Sequence, residues 1–66
     1  MQAFNVEIWR GEKFYIAQCL EHSSCFTQGE TIEEAIRNIK EVIELILEVG
    51  YPKVIVHLKD ALVEAL

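Results

Sequence analysis

The sequence predicts an α+β fold of two layers in the order βββαβ(α). Three observations carry this. Apolar and polar residues alternate with period two near the start of the chain, a capped apolar stripe with helical spacing occupies the middle, and alternation returns after a Gly and a Pro. One helical stripe against several half-buried strands makes a helix-on-sheet domain.

The first strand is read from Ala3 to Trp9, where Phe4, Val6 and Ile8 share one side and Asn5, Glu7 and Trp9 the other. Arg10-Gly11-Glu12 is a polar break whose Gly tolerates positive φ, and Lys13 to Leu20 resumes β chemistry, so the two strands are expected to pair as a hairpin. Glu21 to Ser24 is a second break, and Cys25 to Gln28 reads as a third, shorter strand ended by Gly29. Thr31-Ile32-Glu33-Glu34 forms a capping box: the Thr31 hydroxyl accepts from the Glu34 amide, and the Glu34 carboxylate is expected to return to the Thr31 amide. Ile32, Ala35, Ile36, Ile39, Val42, Ile43, Ile46 and Leu47 then give a continuous apolar stripe. Glu33 with Arg37, and Lys40 with Glu44, form outward charge pairs four residues apart. Gly50 is expected to end the helix in a left-handed cap, with Pro52 blocking continuation. Lys53 to Leu58 reads as the last strand, parallel or antiparallel to its neighbour, and Asp60 as the cap of a short helix from Ala61 to Leu66.

Sixty-six residues make a single domain, 1–66, with a thin core. A chain of this size hides only about 60% of its unfolded surface, which favours association with another chain. Eleven acidic residues against six basic ones give a net charge of −5 with no basic cluster, so direct DNA or RNA binding is not expected and a basic protein partner fits better. No apolar run approaches the roughly 20 residues of a membrane span, and no leader precedes the first strand; a cytoplasmic protein is expected.

Whichever row of the second strand packs beneath the helix, either Phe14, Ile16 and Leu20 or Tyr15, Ala17 and Cys19, the other joins Trp9 and Ile55 on an uncovered sheet face. Trp9, Phe14, Ile16 and Ile55 are therefore the candidate interface, for self-association into a dimer or tetramer or for a different partner. Cys19-x-x-His22-x-x-Cys25 offers three soft metal ligands, but a structural zinc site takes four and the remaining His57 lies on another element. Cys19, His22 and Cys25 are the metal candidates, with no metal or other cofactor assigned and both cysteines read as free, buried thiols. Neither cysteine is followed by an oxyanion loop or helix N-terminus, which argues against thiol catalysis. Glu7, Glu21, Glu30 and Asp60 are the carboxylates a magnesium-dependent nuclease would use, with Glu7 and Asp60 the pair to test; solvated surface acid is preferred, and no enzymatic activity is expected.

Phe14-Tyr15-Ile16-Ala17-Gln18-Cys19-Leu20, then Cys25-Phe26-Thr27-Gln28-Gly29-Glu30-Thr31-Ile32-Glu33-Glu34-Ala35, then Asn38-Ile39-Lys40-Glu41, resembles the HicB antitoxin family in order and register. The positions matching its motif are Tyr15, Ala17, Cys25, Thr27, Gly29, Glu30, Thr31, Glu34, Ala35 and Asn38, mainly structural in role. The resemblance implies a truncated ribonuclease-H-like fold, as in the HicB N-terminal domain. It also implies homo-oligomers, and a function in prokaryotic toxin–antitoxin systems: binding and blocking a small basic toxin, HicA, that cleaves messenger RNA. Two departures stand out. The family's proline before Gly-Cys is replaced here by Leu20-Glu21-His22-Ser23-Ser24, and no DNA-binding domain follows Leu66, so operator binding is not expected of this chain. The alternatives are an orphan homo-oligomeric interaction domain without a toxin and a metal-dependent nuclease remnant.

Overall fold

The structure is a computed structural model that describes residues 2–59. Its elements are β1 (Ala3–Arg10), β2 (Tyr15–Cys19), β3 (Phe26–Gly29), α1 (Ile32–Leu47) and β4 (Lys53–Leu58). The expected order βββαβ is present; the expected helix from Ala61 to Leu66 lies outside the described residues. The strands form one mixed sheet in the order β3-β2-β1-β4. β1 and β2 pair antiparallel with Trp9 opposite Ile16, β2 and β3 pair antiparallel with Tyr15 opposite Gly29, and β4 lies parallel to β1 with Val56 beside Val6. The crossover through α1 is what lets β4 run parallel to β1.

Phe4, Val6 and Ile8 from β1, Ala17 and Cys19 from β2, Cys25, and Ala35, Ile39 and Ile43 from α1 form the buried core. The structure thus resolves the alternative in β2: Tyr15, Ala17 and Cys19 pack beneath the helix, and Ile16 points away. Small side chains set how close the layers come. A Cβ added to Gly29 would lie 2.5 Å from the Ala35 amide nitrogen and 2.9 Å from its Cα, inside van der Waals contact with helix backbone that cannot step aside.

Several boundaries differ from the sequence reading. β2 begins at Tyr15 rather than Lys13, because Gly11 N donates to Phe14 O (2.7 Å) and that turn consumes residues 11–14. Gly11 has no positive φ; its lack of a side chain serves space, since a Cβ there would sit 3.1 Å from the Phe14 carbonyl oxygen. Cys25 precedes β3, with Cys25 N donating to His22 O (2.9 Å) in the loop. In the helix cap, Thr31 Oγ1 accepts from Glu34 N (3.0 Å) as expected, but the Glu34 carboxylate accepts from the Glu30 amide (2.6 Å), one residue earlier than the Thr31 amide. Neither Glu33–Arg37 nor Lys40–Glu44 closes to ion-pair distance among the described residues, as suits exposed side chains for which holding one geometry costs entropy.

The helix exit is the largest correction. α1 ends at Leu47, the left-handed residue is Glu48 (φ 55°) rather than Gly50, and Tyr51 also has positive φ (49°). Ending there lets both Leu47 and Val49 turn onto the core, while Ile46, expected in the buried stripe, is half exposed at 50%. Among the described residues no helix is long and apolar enough to cross a membrane.

Two stability predictions follow from these contacts. Gly29→Ala should destabilise the fold by at least about 2 kcal/mol, the range of core overpacking, read as a lowered midpoint in urea with unchanged slope. Glu48→Gly should raise stability by about 0.5–1 kcal/mol, because left-handed backbone costs a side-chain-bearing residue more than glycine's extra unfolded-state entropy, and the thermal midpoint should rise by about 4 °C.

Candidate functional site

α1 covers one face of the sheet; the opposite face is open. By the strand register, three rows cross its middle, and Ala3 with Lys53 make a further one at the start of β1 and β4. Gln28, Ile16 and Trp9 make the first, Phe26, Gln18, Glu7 and His57 the second, and Asn5 with Ile55 the third. Of the candidate interface residues, Trp9 and Ile16 sit side by side and Ile55 is 45% exposed on the edge strand. Phe14 is the exception. It lies before β2, and with Gln28, Gly29, Glu30, Glu34 and Asn38 it lines a shallow hollow at the start of the helix. The alternation that put it beside Ile16 stops where the chain leaves the strand. Phe26, which the sequence reading did not select, is 61% exposed and belongs to this face.

The centre of the open face is polar and tied together. Asn5 N and Nδ2 donate to the two oxygens of Glu21 (2.9 and 2.7 Å), which holds the loop after β2 against the start of β1. With its amide nitrogen committed to Glu21, Asn5 presents Oδ1 as an acceptor 2.9 Å from His57 Nε2, so the proton on His57 belongs on that nitrogen. Leu20 N also donates to Asn5 O (2.7 Å). The hydrogen bonds from the Asn5 side chain and backbone hold the Glu21 carboxyl below the usual carboxylate range. Beside this network, Lys59 Nζ stands 4.0 Å from Glu7 Oε1 and 5.2 Å from the Trp9 ring centroid. Period-two alternation already set Asn5, Glu7 and Trp9 on one side; the roles of Glu21, His57 and Lys59 were not legible, because each depends on pairing fixed only by the fold.

At the end of β1, Ile8, Tyr15, Ile32 and Leu58 line a mostly apolar cleft of about 230 Å³ that Trp9, Arg10 and Lys59 also border, with the Arg10 guanidinium 5.1 Å from the Tyr15 ring centroid. The motif residues Tyr15, Ala17, Thr27, Gly29 and Ala35 belong to the helix–sheet layer, and Asn38 Nδ2 donates to Gln28 O (2.9 Å), tying the helix to β3. Glu30, Thr31 and Glu34 make the cap.

The suggested metal ligands do not converge. Cys19 and Cys25 are free and buried, whereas His22 is exposed with its ring edge-on to Phe4 at 6.1 Å. Burial pushes the Cys19 thiol up, and its Sγ lies 3.6 Å from Glu21 Oε1. Among the described residues no three His, Cys, Asp or Glu side chains are placed to hold a metal ion. Glu7 pairs with Lys59 on the open face, and Glu30 sits at the helix cap; Asp60 lies outside the described residues.

The Asn5–Glu21 tie gives a pH signature. A carboxyl whose pKa is lowered by folding contributes stability above its unfolded value and loses that contribution as pH falls through the folded value. Glu21→Gln should therefore be less stable than the parent at pH 7, and the difference should shrink toward zero below the usual carboxylate range, measured by urea unfolding at a series of pH values.

Two relatives from Synechocystis sp. align with this chain. UPF0150 protein ssr1258 is 50% identical over 48 residues, 71% of this chain and 70% of that protein. UPF0150 protein ssr1765 is 53% identical over 34 residues, 52% of this chain, which spans 43% of that relative's length. No family model matches the chain, and no solved structure matches it. With half of the aligned positions shared over more than two thirds of ssr1258, the chain belongs to the UPF0150 family.

Proposed function

We propose that this chain is an HicB-like antitoxin, or a binding module derived from one, that occludes a small basic HicA-type toxin in the cytoplasm. The observation that carries the reading is the open sheet face: Trp9, Ile16, Phe26 and Ile55 are arranged around the polar centre of Glu7, Gln18 and His57, on a chain of net charge −5. Apolar anchors around an acidic group, on a chain of negative net charge, suit the masking of a nucleic-acid-binding surface, since the toxin must be basic to hold RNA and its inhibitor complementary to it. The motif shared with HicB falls on the helix–sheet packing and the helix cap, which supports a common scaffold. The order β3-β2-β1-β4, in which β2 alone runs against the other strands, agrees with a truncated ribonuclease-H-like fold. The role is occlusion, without catalysis by this chain.

Self-association has its own support. Leu45, Ile46 and Tyr51 are 79, 50 and 86% exposed around the helix exit, and a dimer or tetramer would cover them. An orphan homo-oligomer would use these residues without any toxin.

The two readings separate in one experiment. Co-expression with the product of an adjacent short basic reading frame, followed by tag pull-down and growth measurement, should give co-purification and rescue of growth arrest. A chain that neither co-purifies nor rescues, while light scattering reports a dimer or tetramer, is the orphan oligomer.

A further inference from the structure

On the open face, Glu7 and Trp9 lie two residues apart on the same side of β1, one of the two inner strands, and both are half-buried. Between them they hold a cation: Lys59 Nζ is 4.0 Å from Glu7 Oε1 and 5.2 Å from the Trp9 ring centroid. Lys59 follows directly on β4, its amide donating to Ile8 O (2.7 Å), and its side chain reaches back across β1. A carboxylate beside the face of an indole is the pairing that binds basic side chains, the first by charge and the second through the ring quadrupole.

Lys59 fills this site poorly. Its contact with Glu7 is at the outer limit of an ion pair, and its side chain is 58% exposed against 30% for Glu7. An exposed pair held by one long contact adds little, so the head group can be exchanged without loss of the fold. A guanidinium would use the same two groups better, stacking flat on the indole while giving two parallel N–H donors to the carboxylate. Neighbouring charges favour this. Glu21 adds negative charge to the same face through its tie to Asn5, and His57 is engaged with Asn5 through Nε2.

We infer that Glu7 and Trp9 form a receptor for an arginine side chain of a basic protein partner, and that Lys59 is a placeholder which the incoming arginine displaces. The inference deepens the antitoxin reading and rests on it for the partner; the site itself is testable alone. Placing a cation there in the free chain keeps Glu7 paired until the partner arrives, so docking exchanges one cation for another rather than desolvating a bare carboxylate.

Trp9 is the single tryptophan of the chain, so its fluorescence reports on this site. Argininamide should produce a saturable change in Trp9 emission. Binding should tighten about threefold in Lys59→Ala, the scale of an exposed ion pair that no longer competes. It should be lost in Glu7→Gln, and citrullinamide, which keeps the α-amino group and the shape but replaces the guanidinium by a neutral urea, should give no change. Equal or weaker argininamide binding in Lys59→Ala overturns the inference, as does a folded Glu7→Gln chain that binds as the parent does. The Lys59→Ala comparison stands even where Glu7→Gln fails to fold, because Lys59 is exposed. Argininamide binding with this ranking, in a chain that captures no toxin, leaves the site standing and removes the antitoxin reading alone; toxin capture without the ranking does the reverse.

Discussion

The close approach of α1 to the sheet at Gly29 and Ala35 is the constraint on which the rest of the structure depends. With helix backbone 2.5 Å from where a Gly29 Cβ would stand, the layer spacing is set at the first turn of the helix, before any large side chain comes into play. Ala17 in the neighbouring strand and Ala35 in the helix, both fully buried, keep the contact short, and the larger Ile39 and Ile43 further along the helix are buried in the same core. A chain this small has little apolar area to bury, so it gains more from tight packing over a short contact than from loose packing over a long one. The cap secures the same place: Thr31 and Glu34 satisfy backbone amides at the turn between Gly29 and the helix, and Asn38 binds the Gln28 carbonyl one turn later.

The same geometry limits what the helix can cover. An α-helix is about 10 Å across, whereas four strands about 4.8 Å apart make a sheet about 14 Å from first axis to last. Seated by Gly29 over β3 and β2, α1 covers β4 only in part, which is why Val54 and Val56 stay half-buried and Leu58 is 58% exposed although they face the helix side. The second face has no covering layer among the described residues. The exposed apolar residues on the strands, Phe26, Ile55 and Leu58, are therefore a consequence of one helix serving four strands.

Much of this was legible in the sequence, and the failures share a cause. Element order, the hairpin, the capped helix and the outward side of β1 follow from local periodicity and cap chemistry, which act within a few residues. The row of β2 that packs inward was not decidable, because Tyr15–Ala17–Cys19 and Phe14–Ile16–Leu20 are both apolar enough; Gly29 decides it by standing opposite Tyr15. Gly50 drew the helix end to itself because glycine is the usual left-handed residue, yet packing of Leu47 and Val49 on the core moves the turn to Glu48. Phe14 was placed on the open face by counting past the point where the strand ends. The Cys19-His22-Cys25 spacing suggested ligands, but both thiols serve the core and the imidazole faces Phe4 from outside. In most of these cases packing against the core outweighs a local preference, while at Phe14 the turn closed by Gly11 and Phe14 ends the alternation.

The chemistry of the open face follows from the same limits. A wholly apolar uncovered sheet would pair indiscriminately with copies of itself, while a wholly polar one would have nothing to gain from docking. Here the central strand carries Asn5, Glu7 and Trp9 in sequence along the face, so polar and apolar groups are interleaved on the strand least able to shift register. Asn5 donates to Glu21 and accepts from His57, which ties these polar groups together laterally and holds them in place. Charge then decides which partner is tolerated. The open face carries Glu7, with Glu21 tied to Asn5 at its start, beside Lys53 and Lys59, so it is the net charge of −5 of the whole chain that repels an acidic surface or a second copy at long range. A basic surface meets no such penalty, and whatever apolar area it brings covers the apolar residues exposed on the open face.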